Sequence, residues 1–294
     1  MLVKGFRECL IFFVYNDEKH LNYSQIPLAF CTIWLYNGIN LYVGRRWHLG
    51  EIFAVLSGKG GTGKTSVCAG IATALAQQGK KVLCIDCDVG LRNLDISLGL
   101  TESGALSFLD VAEGAYPIDR AARHPNYLNL CFLTAPMNRS AEQIPQEQFG
   151  VMLAQARGAF DYIFLDAPAG VDAGFQLAAK FADRFLVVTG AGPAAVRDAA
   201  RVSDLLELMG KKNIRLIVNR VDRDMLSTVR MTVDDVMDSA GLPLMGLVLE
   251  DPNVTLAAAF GKPLLLYSRK SPAAKACVKI ANRIQGFHEP ITLK

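Results

Sequence analysis

The sequence has four histidines, at positions 20, 48, 124 and 288, too far apart to give a zinc-ligand spacing. Its seven cysteines (9, 31, 68, 84, 87, 131 and 277) are odd in number and scattered through apolar stretches. That argues against a disulfide framework and suits a reducing cytoplasm. Cys84 and Cys87 form a C-x-x-C, but in the strand-like run KVLCID this spacing sends two side chains to opposite faces, which disfavours a redox or metal pair. Charge is scarce as well. One residue in five is charged, the net is +3, and no long basic run occurs, so bulk electrostatics gives little reason to expect nonspecific nucleic-acid binding. No internal repeat or low-complexity linker interrupts the chain after residue 50.

What is present is apolar sequence in short pieces. Runs rich in Val, Ile, Leu and Phe recur at 52–57, 81–86, 128–134, 161–166, 184–189, 214–219 and 245–250, and each reads as a buried strand. Stretches with helical spacing lie between them, among them Ser66–Gln78, Gln146–Arg157, Ala194–Met209 and Pro272–Ile284. This alternation implies an α/β domain over residues 49–294, with a mostly parallel twisted sheet covered by helices on both faces.

The first 48 residues do not match this pattern. From Leu21 to Gly44 there is no charge, and IPLAFCTIWLYNGINLYVG followed by Arg45-Arg46 is long enough to weigh as a membrane span, although Pro27, Asn37, Gly38 and Asn40 interrupt it. A cleaved signal peptide reads worse, because Asp17, Glu18 and Lys19 split the apolar segments. The preferred reading is a misassigned start: Arg-Arg can be encoded as a ribosome-binding sequence and Leu49 as an alternative start codon. Residues 1–48 are therefore expected to be an atypical extension, translated in error or otherwise a membrane segment.

The chemistry is concentrated at SGKGGTGKTS, residues 57–66. Gly58 to Thr65 satisfies G-x-x-x-x-G-K-[ST] directly after a strand and at the opening of a helix, the context of a phosphate-binding loop. Gly58, Gly60, Gly61 and Gly63 let successive amides point at phosphates, Lys64 neutralises their charge, and the Thr65 hydroxyl completes a hydrated Mg²⁺ shell. The same letters satisfy G-x-G-x-x-G with Asp86 at the distance of a ribose-binding acid, but a dinucleotide fold gives Lys64 and Thr65 no task and leaves Asp88 and Asp166 unexplained. Asp166 closes the apolar run DYIFLD, where a carboxylate can hold a magnesium-bound water, and APAG after it can swing as a switch. The expected fold is accordingly a P-loop NTPase.

KGGTGKT, DCDVGLRNLD (86–95), DAPAG (166–170) and AVRDA (195–199) together resemble the MinD/ParA family of deviant Walker A ATPases, and GLRNLD points to its MinD, or septum-site, branch. The resemblance runs from about residue 51 onward and implies an ATP- and Mg²⁺-dependent, partner-stimulated ATPase of cell division that dimerises on ATP. It implies that the additional loop lysine, Lys59, reaches the phosphates bound by a second subunit, and that Asp88 orients the attacking water. Thr65, Asp86 and Asp166 would serve Mg²⁺. Thr62 and Ser66 belong to the phosphate loop, and Asn219 and Arg220 match positions that recognise adenine. Arg197 and Asp198 fall on a helix used for dimer and partner contacts. The expected partners are a homodimer mate and a division inhibitor or topological-specificity protein of the MinC/MinE type, with no specific nucleic acid.

The sequence departs from that pattern in three places. GFHEPITLK stands where the family carries a basic amphipathic anchor helix, TGAG replaces the usual Asn-Pro-Glu before AVRDA, and Leu249 stands where a proline commonly precedes Glu-Asp. The membrane is thus expected to be reached only indirectly or through the N-terminal segment, from a cytoplasmic or peripheral inner-face location, and residues 49–294 are expected not to bind lipid strongly by themselves. A partition or flagellar-placement ATPase is the rival reading. An iron–sulfur carrier would need a paired cysteine motif where Cys131 and Cys277 stand alone, and a pseudoenzyme would lack Lys64, Asp88 or Asp166.

Overall fold

The computed structural model describes residues 49–89, 91–222 and 232–291. The readings made of residues 1–48, and Gly90 of the GLRNLD run, lie outside them.

The apolar runs form strands because each is long enough to cross a sheet and too uniformly apolar to leave a face in water. They are β1 (Glu51–Leu56), β2 (Val82–Asp86), β4 (Tyr127–Leu133), β5 (Tyr162–Asp166), β6 (Arg184–Thr189), β7 (Ile214–Val221) and β8 (Leu244–Leu249). The eighth strand, β3 (Ala122–His124), was not foreseen: three residues with two polar side chains carry no apolar signal. It pairs antiparallel with β4 at the sheet edge, whereas the other strand pairs are parallel. The order is β3-β4-β2-β5-β1-β6-β7-β8.

Two cores follow from the alternation of side chains along each strand. Phe53, Val55, Cys84 and Phe164 point to one face, against the helices α1 (Lys64–Gln77), Leu94–Leu98, Pro252–Ala259, Leu264–Tyr267 and Pro272–Ile284. Ile52, Ala54, Leu56, Cys87 and Leu165 point to the other, against Phe108–Ala112, Gln146–Ala159, Ala173–Phe181, Pro193–Leu208 and Val233–Ala240. Phe53 stacks on Phe164 in the first core (5.3 Å between ring centres), and Phe108 meets Phe149 edge-on in the second (5.2 Å). Cys84, on β2, and Cys87, the residue after its end, are buried in different cores. Among the described residues no helix is long and apolar enough to cross a membrane.

The topology places the site. β1 leads through α1 to β2, two positions to one side, while β5 leads to β6 on the other side of β1. The strand order thus reverses around β1, and the crevice at the carboxyl ends of strands flanking such a reversal is where open α/β sheets bind ligands.

Candidate nucleotide site

After β1 the chain turns through Ser57–Gly63 into α1. Gly61 and Gly63 have φ of 78° and 79°, a conformation that side-chain-bearing residues rarely adopt. A Cβ on Gly58 would lie 2.5 Å from the Asp198 carbonyl oxygen, and one on Gly63 would lie 2.2 Å from Asn219 Nδ2. The loop is thus gripped at both ends. At its centre, a Cβ on Gly60 or Gly61 would meet nothing within 4 Å, so the middle of the loop faces open space. Asn219 Nδ2 donates to the Thr62 carbonyl at 2.7 Å, and the Gly170 amide donates to the Ser57 carbonyl at 3.0 Å, tying the loop to β7 and to the segment after β5. The N-cap of α1 is Gly63 and no side chain caps the helix, so its first-turn amides are available to an anion.

The acidic half of the site comes from β2 and β5. Asp86 and Asp166 are register partners on these neighbouring strands, and both are buried. Lys64, itself buried, places Nζ 2.6 Å from Asp166 Oδ1 and 3.4 Å from Thr65 Oγ1. Burial works against the charge on Lys64, but the attraction of Asp166 outweighs it and holds the ammonium pKa above its ordinary value. Asp86 accepts from the amides of Asp88 (2.9 Å) and Leu94 (3.2 Å). Even so, burial, reinforced by the Asp166 charge, raises its pKa to about 6. Asp88 is half-buried and its pKa is raised by burial, with Lys64 opposing and Asp166 adding to the shift. Three carboxylates converge on one ammonium, an excess of negative charge that a divalent cation would balance.

Two clefts open beside the loop. One, of about 260 Å³, is lined by Gly63, Ser66, Asn219, Glu250, Thr255 and Cys277 among others. The second, of about 300 Å³, is bordered by Lys59, Thr62, Gly190, Gly192, Arg220 and Glu250.

Residues 53–264 match the family described as the CobQ/CobB/MinD/ParA nucleotide binding domain. A septum site-determining protein MinD from Synechocystis is 40% identical over 244 residues, covering 82% of this chain and 92% of that protein. The chain belongs to the MinD family. MinD in a MinC:MinD cell division complex from Aquifex aeolicus is 37% identical with a TM-score of 0.76, covering 83% of this chain and 98% of that one. MinD from Pyrococcus horikoshii, solved as a complex with Mg-ADP, is 27% identical with a TM-score of 0.71, covering 80% and 96%.

Within this MinD fold, Lys64 brings Asp86, Asp88 and Asp166 up to the loop from Gly58 to Ser66. Asn219 and Arg220 also border it, but their side chains are already engaged. Asn219 braces the loop at Thr62, while Arg220, in the left-handed region at φ 55°, holds Glu250 at 2.8 Å and reaches the Gly61 carbonyl at 3.3 Å. Lys59 and Lys64 separate sharply: Lys64 is buried under the loop, whereas Lys59 is exposed and, among the described residues, makes no ion pair. Sequence reasoning missed the grip of Asp198 on Gly58 and the Arg220–Glu250 pair. Both join segments more than a hundred or about thirty residues apart that no local pattern links.

The raised pKa of Asp86 sets an expected pH dependence. A cation held there would need this carboxyl ionised, so lowering the pH below about 6 is expected to weaken any gain in ADP affinity that Mg²⁺ provides by up to about tenfold per unit. Above pH 6 the affinity should level off. Calorimetric titrations with ADP, with and without Mg²⁺, across this range check it; the metal-free affinity should not follow the same curve.

Proposed function

We propose that this chain is a Mg²⁺-dependent ATPase that forms a homodimer on binding ATP and acts in placing the division septum, with hydrolysis stimulated by a protein of the MinC or MinE type. The observation that carries the reading is the contrast between the two loop lysines. Lys64 lies inside the subunit beside the phosphate cradle, whereas Lys59 points a charge outward, which suits delivery to a site in a second subunit. The names of the relatives, septum site-determining proteins and a MinC:MinD complex, support the same reading.

The residues present fit the implied cofactor: an open glycine cradle for phosphates stands beside buried carboxylates that one lysine does not neutralise. Thr65, Asp86 and Asp166 would hold Mg²⁺, which when bound supplies electrostatic stabilisation of the phosphate oxygens. Lys64 is held by Asp166, and on nucleotide binding its ammonium would turn toward the phosphates. Asp88, anchored through its amide to Asp86, would orient the attacking water. Lys59 from the mate would neutralise charge as the γ-phosphoryl group leaves. Adenine would lie in the cleft bordered by Asn219 and Thr255, with Asn219 serving chiefly as the brace of the loop.

Light scattering tests the switch: ATP with Mg²⁺ should convert monomer to dimer, and a single mass in both conditions would overturn it. Asp88→Ala is expected to bind ATP and dimerise but to lose roughly a hundredfold or more in kcat, since the lost interaction is made mainly in the transition state. A collapse of ATP affinity instead would move Asp88 to the metal site.

A further inference from the structure

Asp88 has a place in the proposed mechanism, but Arg92, in the GLRNLD run four residues on, has none. The chain between β2 and helix Leu94–Leu98 is clipped at both ends by Asp86, whose carboxylate accepts from the Asp88 amide at 2.9 Å and from the Leu94 amide at 3.2 Å. Between these clips the amides of Leu91 and Arg92 reach the Asp88 carbonyl only at 3.4 Å each. The Asp88 carboxylate makes no hydrogen bond among the described residues, so its place is set by the backbone that carries it. Arg92 stands in the left-handed region at φ 41°, where a side chain is strained and glycine would not be. Of the three non-glycine residues at positive φ among the described residues, Asn213 is of a type that tolerates the region, and Arg220 grips Glu250 and the phosphate loop. Arg92 grips Thr134: its Nε donates to Thr134 Oγ1 at 2.7 Å. Thr134 is a firm anchor. It follows directly on β4, is 3% exposed, accepts from the Phe108 amide at 2.8 Å and donates its own amide to the Leu106 carbonyl at 2.9 Å.

We propose that Arg92 is a positioning residue for ATP hydrolysis: its side chain, anchored on Thr134, holds the local backbone against the Asp88 carbonyl and so fixes where the Asp88 carboxylate stands. The inference rests on the water-orienting role proposed above for Asp88. Amide contacts of 3.4 Å restrain a chain weakly, whereas a 2.7 Å hydrogen bond from a charged donor to a buried hydroxyl restrains it well. The segment is thus pinned at three points, by Asp86 at each end and by Thr134 through Arg92. Backbone geometry alone does not account for the arginine, since glycine takes the same φ without strain. Its reach to Thr134 does, and strain held in place by a specific bond beside a reacting group is a mark of positioning. The effect on rate is large for a small movement: a displacement of about 1 Å in a group that orients a reactant can cost about a hundredfold.

The test is basal ATP turnover of the full chain, with no partner protein added, resolved into kcat and KM and measured beside the thermal midpoint and the ATP-induced dimer mass. Arg92→Gly removes the anchor and relaxes the strained backbone. It should keep the thermal midpoint within a few degrees, keep KM and the dimer, and lose roughly ten- to a hundredfold in kcat. Thr134→Val, which keeps the backbone bonds of Thr134 but not its hydroxyl, should lose the same factor, and Thr134→Ser, which keeps the hydroxyl, should recover most of it. Both variants break one bond, so Arg92→Gly/Thr134→Val should be no slower than either alone. Parental kcat in Arg92→Gly would overturn the proposal, as would losses that multiply in the double variant. Loss of the ATP-induced dimer in Arg92→Gly would also overturn it, placing Arg92 at the subunit interface instead. Asp88→Ala, measured beside them, separates the two readings. If Asp88→Ala turns over as the parent does, the role of Asp88 fails and the proposal with it; if Asp88→Ala is slow while Arg92→Gly is not, the proposal alone fails.

Discussion

Lys64→Ala is expected to abolish measurable nucleotide binding and, separately, to destabilise the nucleotide-free protein by about 3–5 kcal/mol. The first effect follows from losing the cation that faces the phosphates. The second follows from the structure: Lys64 Nζ lies 2.6 Å from Asp166 Oδ1, and both side chains are buried. Removing the ammonium leaves the buried Asp166 beside Asp86 with no counter-charge. The two losses can be separated. Lys64→Met/Asp166→Asn removes both charges from the buried pair and should recover most of the thermal midpoint while recovering none of the ADP affinity. Calorimetry of the single and double variants, with and without Mg·ADP, decides the matter. If the double variant is no more stable than Lys64→Ala, the pair is not what destabilises the single variant; if Lys64→Ala still binds ADP tightly, the phosphate role fails.

The fold was legible where apolar runs were long enough to be buried on both faces. β1, β2 and β5 through β8 begin and end within two residues of the runs that announced them, because a parallel strand under two layers of helix tolerates almost no polar side chain. β3 was not legible, since an edge strand of three residues needs only one partner and can carry Arg123 toward solvent. The phosphate loop was legible for a different reason: it is local, and glycine spacing alone fixes its turn. Its supports were not. Gly58 against the Asp198 backbone, Gly63 against Asn219, and Ser57 against Gly170 are contacts between residues roughly 110 to 160 positions apart. The sequence suggests Asn219 as a reader of the base, because an amide at a strand end can do that. In the fold its amide nitrogen is engaged with the Thr62 carbonyl.

Lys59→Ala is expected to bind ATP within a few-fold of the parent and to lose roughly a thousandfold in kcat, the scale on which cations supplied in trans act in phosphoryl transfer. The structure supports normal binding. Lys59 is exposed, its side chain holds none of the loop contacts, and its carbonyl, which the Ser57 hydroxyl contacts at 3.1 Å, survives the substitution. The kinetic loss follows if the ammonium acts on the phosphates of the mate, where closure of the dimer excludes water and strengthens its effect. Mixing variants distinguishes action in trans from action in cis. A dimer of one Lys59→Ala and one Asp88→Ala subunit contains one site with its own Asp88 and, from the mate, an intact Lys59. The mixture should therefore regain part of the parent turnover, although neither variant turns over alone. If Lys59 acts within its own subunit, each site in the mixed dimer lacks one of the two groups and no turnover returns. Full activity of Lys59→Ala alone would remove the residue from the mechanism, leaving Lys64 as the site's cation and Lys59 as a solvated loop side chain.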